Sequence, residues 1–152
     1  MFREMRRKDR ALSAGVAASV LEGGTYGVLS LMGAEGYPYG VPMNYVTVDG
    51  KIYLHSSTVP GLMQESIAAN PKVSFTVIQP LEGFKSRSAI AFGTIKIVPE
   101  LRLLVLEKLV EKFVPAPAWE QTKAALPFAQ QSITAYEITI DHLTAKQVDK
   151  PD

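Results

Sequence analysis

The sequence contains no cysteine, only two histidines and a single tryptophan. Without cysteine there is no disulfide framework, no thiolate zinc site, no iron–sulfur cluster and no cysteine nucleophile. His55 and His142 are the only histidines, so a multi-histidine metal site is not expected. An excess of charge of one sign is also missing. Sixteen Lys+Arg face fifteen Asp+Glu, for a formal net charge of +1. A protein that holds nucleic acid by neutralising phosphates carries a larger basic excess, so no nucleic-acid partner is expected. No apolar run approaches the roughly 20 residues of a membrane span, and no membrane partner is expected either. What is there is a chain of 152 residues, 47% hydrophobic and 20% charged. That is material for one packed domain covering residues 1–152.

The N-terminus has the outline of a secretory signal. Residues 1–10 hold five basic and two acidic groups, and residues 11–21 follow without a charge. The uncharged stretch is built from Ala, Ser and Gly rather than Leu, however. Leu12, Val16 and Val20 recur at i, i+4 and i+8. That spacing is one stripe of a surface helix, and the chain reads as cytoplasmic.

Asp9 or Ser13 is placed to cap this helix, and Gly23-Gly24 to end it. Strands are predicted over 26–31, 39–48 and 51–56. Asp49-Gly50 joins the last two as a tight hairpin, because a type I′ turn needs positive φ at both central residues. Pro60 and Asn70-Pro71 bracket a short helix. Residues 72–79 alternate as a half-buried strand, and 86–98 form another. Gly93 inside that strand marks a bulge or a close backbone approach. The clearest helix covers 99–113, with Leu103, Leu106, Leu109, Val110 and Phe113 on its apolar face. Glu107, Lys108, Glu111 and Lys112 fall on its wet side. A helical stretch around 119–126 and a strand over 132–142 follow.

Hairpin-joined strands with intervening helices imply an antiparallel sheet closed into a barrel, mainly β, with the helices outside. Val46, Val48, Ile52, Leu54, Val73, Phe75, Val77, Ile90, Phe92, Ile138 and Ile140 are expected to face its interior or its helix-covered side. The glycines at 23, 24 and 27 miss the dinucleotide-binding spacing and follow a helix rather than a strand.

No catalytic set assembles from the sequence alone. Neither histidine lies near a Gly-x-Ser-x-Gly turn, and the acids are scattered singly. Two stretches stand out. His55, Ser56, Ser57 and Thr58 precede Pro60-Gly61 at a helix start, where free amides and the helix dipole favour an anion. A capping cluster with no ligand fits the same residues. Pro42-Met43-Asn44-Tyr45 puts a proline in a strand, which belongs at an edge or bulge and leaves backbone groups open to a ligand. An ordinary barrel corner fits that pattern equally well.

Met5-Arg6-Arg7-Lys8-Asp9-Arg10 resembles the opening of the nitroimidazole-resistance branch of the pyridoxamine 5'-phosphate oxidase-like FMN-binding split-barrel proteins. Further matches follow in order: Gly36-Tyr37-Pro38-Tyr39, Val41-Pro42-Met43-Asn44-Tyr45, Ile52-Tyr53-Leu54-His55-Ser56 and Asn70-Pro71-Lys72-Val73-Ser74-Phe75. Ser88 through Phe92-Gly93 and Ile138 to Lys146 complete a likeness that spans most of the chain.

The resemblance implies an antiparallel split β-barrel that forms a homodimer and binds FMN at the subunit interface. The isoalloxazine would lie against Pro42, Met43, Asn44, Tyr45 and Val46. The ribityl chain and phosphate would be held near His55, Ser56, Ser57 and Thr58, with Ser88 also close to the flavin. The implied activity is flavin-dependent reduction of a small-molecule substrate, nitro compounds among the candidates, with His55 as the catalytic polar contact. The chain departs from the family at Met63, where a phosphate-binding lysine is usual, and at Ala145, where glycine is frequent. Arg6, Arg7 and Arg10 are the cations that would take over the phosphate. Met63 favours the alternative, a non-catalytic module on the same barrel that binds flavin or another small ligand.

Overall fold

The computed structural model describes residues 1–150. The first α-helix opens at Ser13, whose Oγ accepts from the Val16 backbone N–H and caps α1 (Ala14–Gly23). β1 (Tyr26–Met32), β2 (Pro38–Asn44), β3 (Val46–Val48) and β4 (Lys51–Ser57) follow. Then come α2 (Leu62–Ala69), β5 (Lys72–Pro80) and β6 (Ser86–Ile97). α3 (Arg102–Phe113), two short helices, α4 (Trp119–Ala124) and α5 (Leu126–Ala129), and the long β7 (Ile133–Val148) complete the chain. Asp49 and Gly50 both hold positive φ, at 50° and 76°, as the tight hairpin between β3 and β4 requires.

The seven strands form one antiparallel sheet in the order β2-β1-β5-β6-β7-β4-β3. Its two edges, β2 and β3, are consecutive in the chain with only Tyr45 between them. The sheet therefore curls until its edges meet at Tyr45, a half-barrel with a seam. The single strand expected over 39–48 is broken there. Tyr45 turns fully inward, its hydroxyl donates to the Leu21 carbonyl at the end of α1, and its ring meets Phe75 edge-on with centroids 4.8 Å apart. Pro42 lies on the edge strand β2, where a missing N–H breaks no ladder.

Inside the curl, Leu29, Ile52, Leu54, Phe75, Val77, Tyr136 and Ile138 are fully buried beneath α1 and α2. Val46 and Val73 are buried as expected, while Val48 and Ile140 are only partly so. On β6 the expected sidedness is reversed. Ala89, Ala91 and Ile95 point inward, and Ile90 and Phe92 lie on the outer face. Phe75 pairs with Ala91 and Val77 with Ala89, so small residues opposite large ones fill the narrow interior. Gly93 sits at a register shift on β6, and a Cβ there would lie 2.2 Å from the Thr139 carbonyl oxygen.

α3 covers the other side of the sheet, over Val46, Tyr53, Val98 and Ala135. Its buried residues are Val105, Leu109 and Val110; Leu103 and Leu106 are only half-buried, and Phe113 faces outward. Residues 99–101 form a 3-10 turn, so the helix starts at Arg102. Apolar residues occur on most of its sides, and the patch on β3, β4 and β7 selects the stripe centred on Val105 and Leu109. Lys112, expected in water, is half-buried instead against the seam. Among the described residues no helix is long and apolar enough to cross a membrane.

Candidate functional site

A cleft of about 460 Å³ opens beside the seam, lined by Tyr26, Val41, Pro42, Met43, Asn44, His55, Ser56 and Met63. The structure thus brings together six residues singled out in sequence from β2, β4 and α2. Tyr26 was not among them, although it pairs directly with Asn44 across β1 and β2. Its signal lay in the register of that hairpin, which follows only once the turn between the two strands is known. Tyr26 is 64% exposed and its ring lies 6.4 Å from that of Phe113, so an aromatic rim borders the cleft. Tyr45 and Val46, also expected against the ligand, do not line the cleft; both are buried, Tyr45 beneath α1 and Val46 under α3.

His55 is half-buried, and its Nδ1 is buried with no hydrogen-bond partner. A buried ring nitrogen without a partner is costly, and a turn of the His55 ring into the cleft would let the polar edge of a ligand complete it. Burial also pushes the His55 pKa below its usual value. The unfolded ring takes up a proton near pH 6.5 while the folded ring resists it. Stability is therefore full above about pH 6.5 and declines as pH falls below it. Denaturant midpoints measured at pH 7.5 and 5.5 should show that decline, and His55→Gln should flatten it.

The neighbouring hydroxyls are already engaged. Ser56 Oγ bonds Tyr136 Oη at 2.9 Å, accepts from Gln64 Nε2 at 3.2 Å and reaches the Ser57 carbonyl at 3.1 Å. Ser57 Oγ accepts from the Val59 amide at 3.0 Å, and Thr58 is exposed. At the start of α2 the Gly61 N–H is taken by Gln64 Oε1 at 2.9 Å. Met63, on the first turn of α2, is buried in the cleft wall. This corner is thus internally capped and offers an anion no cation of its own.

The remaining predicted residues lie elsewhere in the chain. Ser88 shares a smaller cleft of about 150 Å³ with Met5, Ile90, Thr144, Ala145 and Lys146. Arg10 lines another, of about 440 Å³, with Asp9, Ala11, Leu12, Gln147, Asp149 and Lys150. Arg7 forks onto the Asp9 carboxylate at 2.9 and 2.7 Å and holds that carboxyl down at about 2. Arg6 is exposed. Only a 3-10 turn over Lys8–Arg10 forms before α1, so Arg6 and Arg10 do not share a helix face. The basic segment crosses β7 through a bridge between Ala11 and Lys146.

Among the described residues no three His, Asp or Glu side chains gather as a metal site. Among the described residues the one buried carboxylate, Glu137, lies outside the cleft. Burial pushes its pKa up, but the Tyr53 hydroxyl at 2.8 Å and Lys51 at 3.3 Å outweigh that and hold it below the usual carboxylate range.

Residues 13–147 match the sequence model of the pyridoxamine 5'-phosphate oxidase family. The chain belongs to that family. No curated protein matches it in sequence. A FAD-binding protein of Mesorhizobium loti is 26% identical with a TM-score of 0.69, over 92% of this chain and 98% of that one. A candidate 5-nitroimidazole antibiotic resistance protein of Bacteroides thetaiotaomicron is 19% identical with a TM-score of 0.72, over 90% and 86%. A flavocytochrome of Azotobacter vinelandii is 15% identical with a TM-score of 0.80, over 98% and 74%. These likenesses establish the family's split barrel as the fold of this chain. Within it, Pro42 to Asn44 and His55 line the seam cleft, Ser88 lies on β6, and the N-terminal arginines precede α1 beside β7.

Proposed function

We propose that this member of the pyridoxamine 5'-phosphate oxidase family is a cytoplasmic, homodimeric flavoprotein that binds FMN in the seam cleft and reduces small molecules, nitro compounds among the candidates. The observation that carries this reading is the orphaned Nδ1 of His55, set in a cleft walled by the edge strand at Pro42, Met43 and Asn44. A bound flavin would supply hydride chemistry, and the protein would supply orientation and electrostatics. The backbone from Pro42 to Val46 would back the ring system, and His55 would give it a polar contact.

The outer face of the sheet supports a shared site. Tyr26, Val28 and Met32 on β1, Ile78 on β5 and Phe92 on β6 are exposed along it. Pairing places Val28, Thr76, Ile90 and Thr144 in one row across four strands. Ser88, Ile90 and Thr144 bring the smaller cleft to this face at the middle of the sheet, and Tyr26 brings the seam cleft to it at β1. Docking two copies through it would cover the apolar row and bring the basic segment of one copy to the seam of the other. Light scattering should return twice the 16.6 kDa chain mass.

Titration of FMN and FAD against their own fluorescence tests the site itself. Arg6→Ala, Arg7→Ala or Arg10→Ala should weaken FMN about 10-fold in at least one case, the scale of one lost charge-assisted bond. Met63→Lys should tighten it. Unchanged affinity in all four variants overturns this placement of the phosphate.

Met63 and the internally bonded Ser56 favour a second reading, a module that binds flavin or another small ligand without turnover. Bleaching of the flavin bands by a reduced nicotinamide supports the reductase; bound flavin that stays oxidised supports the module.

A further inference from the structure

Lys112 is the cation the sequence placed in water and the fold places against the seam. Its Nζ donates to the Tyr45 carbonyl at 2.8 Å and lies 3.9 Å from the centroid of the Tyr45 ring. The Phe113 ring centroid is 5.5 Å away. Among the described residues no carboxylate pairs with it; Glu111 beside it is taken by Lys108 and Lys123. Burial pushes its pKa down to about 8, which still leaves it charged at neutral pH.

The position has a backbone cause. Tyr45 is the single residue between two edge strands, and its carbonyl finds a partner in a side chain of α3 rather than in a strand. A backbone carbonyl withdrawn from water needs a donor, and an ammonium is the strongest one available. A neutral donor would satisfy the same carbonyl. The charge is therefore surplus to the structural need, and it is held at the Tyr45 carbonyl, one residue along the chain from Asn44, which lines the cleft.

We propose that Lys112 is an electrostatic positioning residue for the seam cleft, holding the Tyr45 carbonyl in place and biasing the site towards the more negatively charged, reduced state of its flavin. This rests on flavin occupying the seam cleft. Uptake of two electrons and one proton, supplied in a test by dithionite and water, adds one negative charge beside the wall, and Lys112 is the cation placed to offset it. Asn44, which lines the cleft, is one residue from Tyr45, so Nζ lies within roughly 10 Å of the cleft. At that separation and an effective dielectric of about 20, one unit charge shifts an equilibrium roughly ten- to twentyfold.

The test compares the wild-type chain with Lys112→Gln, which keeps a donor, Lys112→Met, which keeps neither donor nor charge, and Lys112→Arg, which keeps both. Affinities for oxidised and dithionite-reduced FMN, and the potential of the bound flavin, are measured for each. Lys112→Gln should bind oxidised FMN as the wild type does but lose about tenfold in its preference for the reduced form, a potential about 30 mV lower. Lys112→Arg should retain the wild-type potential. Lys112→Met should show the same lowering, and it carries the uncharged comparison if the glutamine variant does not fold. A wild-type potential in every folded uncharged variant overturns the proposal while leaving the flavin site intact. A wild-type chain that takes up no flavin overturns both.

Discussion

Phe75→Ala is expected to destabilise the protein by about 3–5 kcal/mol, the range for emptying a large aromatic site in a closed core. Phe75 is fully buried on β5, pairs with Ala91, and carries Tyr45 edge-on against its ring. The alanine already opposite it cannot expand into the space, so the cavity persists. In a chain of this length the loss lowers the melting temperature by roughly 6–20 °C. Because Tyr45 leans on the lost ring, the seam should loosen as well, and flavin affinity should fall more than in a core variant away from Tyr45. Phe75→Leu keeps most of the volume and should cost under about 1.5 kcal/mol. Thermal melts of the two variants, with flavin titration alongside, check both statements.

Gly93→Ala is the second large effect. The added methyl would meet the Thr139 carbonyl oxygen at 2.2 Å and Ile138 Cγ2 at 2.9 Å, across the register shift between β6 and β7. Backbone cannot swing aside as a flexible side chain can, so the strands must separate locally. A cost of about 1–3 kcal/mol is expected, with the larger substitution Gly93→Val worse. Gly15→Ala is the control. It meets nothing within 4 Å on α1 and should be neutral or mildly stabilising. Equal melting temperatures for the two alanine variants would contradict the close approach.

Much of this architecture was legible from local chemistry. Asp49-Gly50 fixed the hairpin, Ser13 the start of α1, and Gly93 the bulge, because each solves a backbone problem that does not depend on distant contacts. Pro42 marked an edge strand for the same reason. What could not be read depended on which surface came to lie opposite. Ile90 and Phe92 look as well suited to a core as Phe75, but the narrow interior accepts alanine across from Phe75 and Val77. Lys112 looks solvated at its helical spacing, and its burial follows from the rotation of α3 over β3, β4 and β7.

The seam cleft shows the same division. Pro42, Met43, Asn44, His55, Ser56 and Met63 were named in sequence and meet in space. Tyr26 and Lys112 were missed because their places depend on strand register and helix docking. Ser88 and Arg10 line other clefts of the same chain, because β6 and the segment before α1 meet β7 away from the seam.

The most direct test of the flavin reading is the visible absorption of the protein as purified, with the pigment extracted and counted per chain. The account predicts flavin bands and close to one FMN per chain, either as isolated or after incubation with FMN and gel filtration. A colourless chain that takes up neither FMN nor FAD would contradict it.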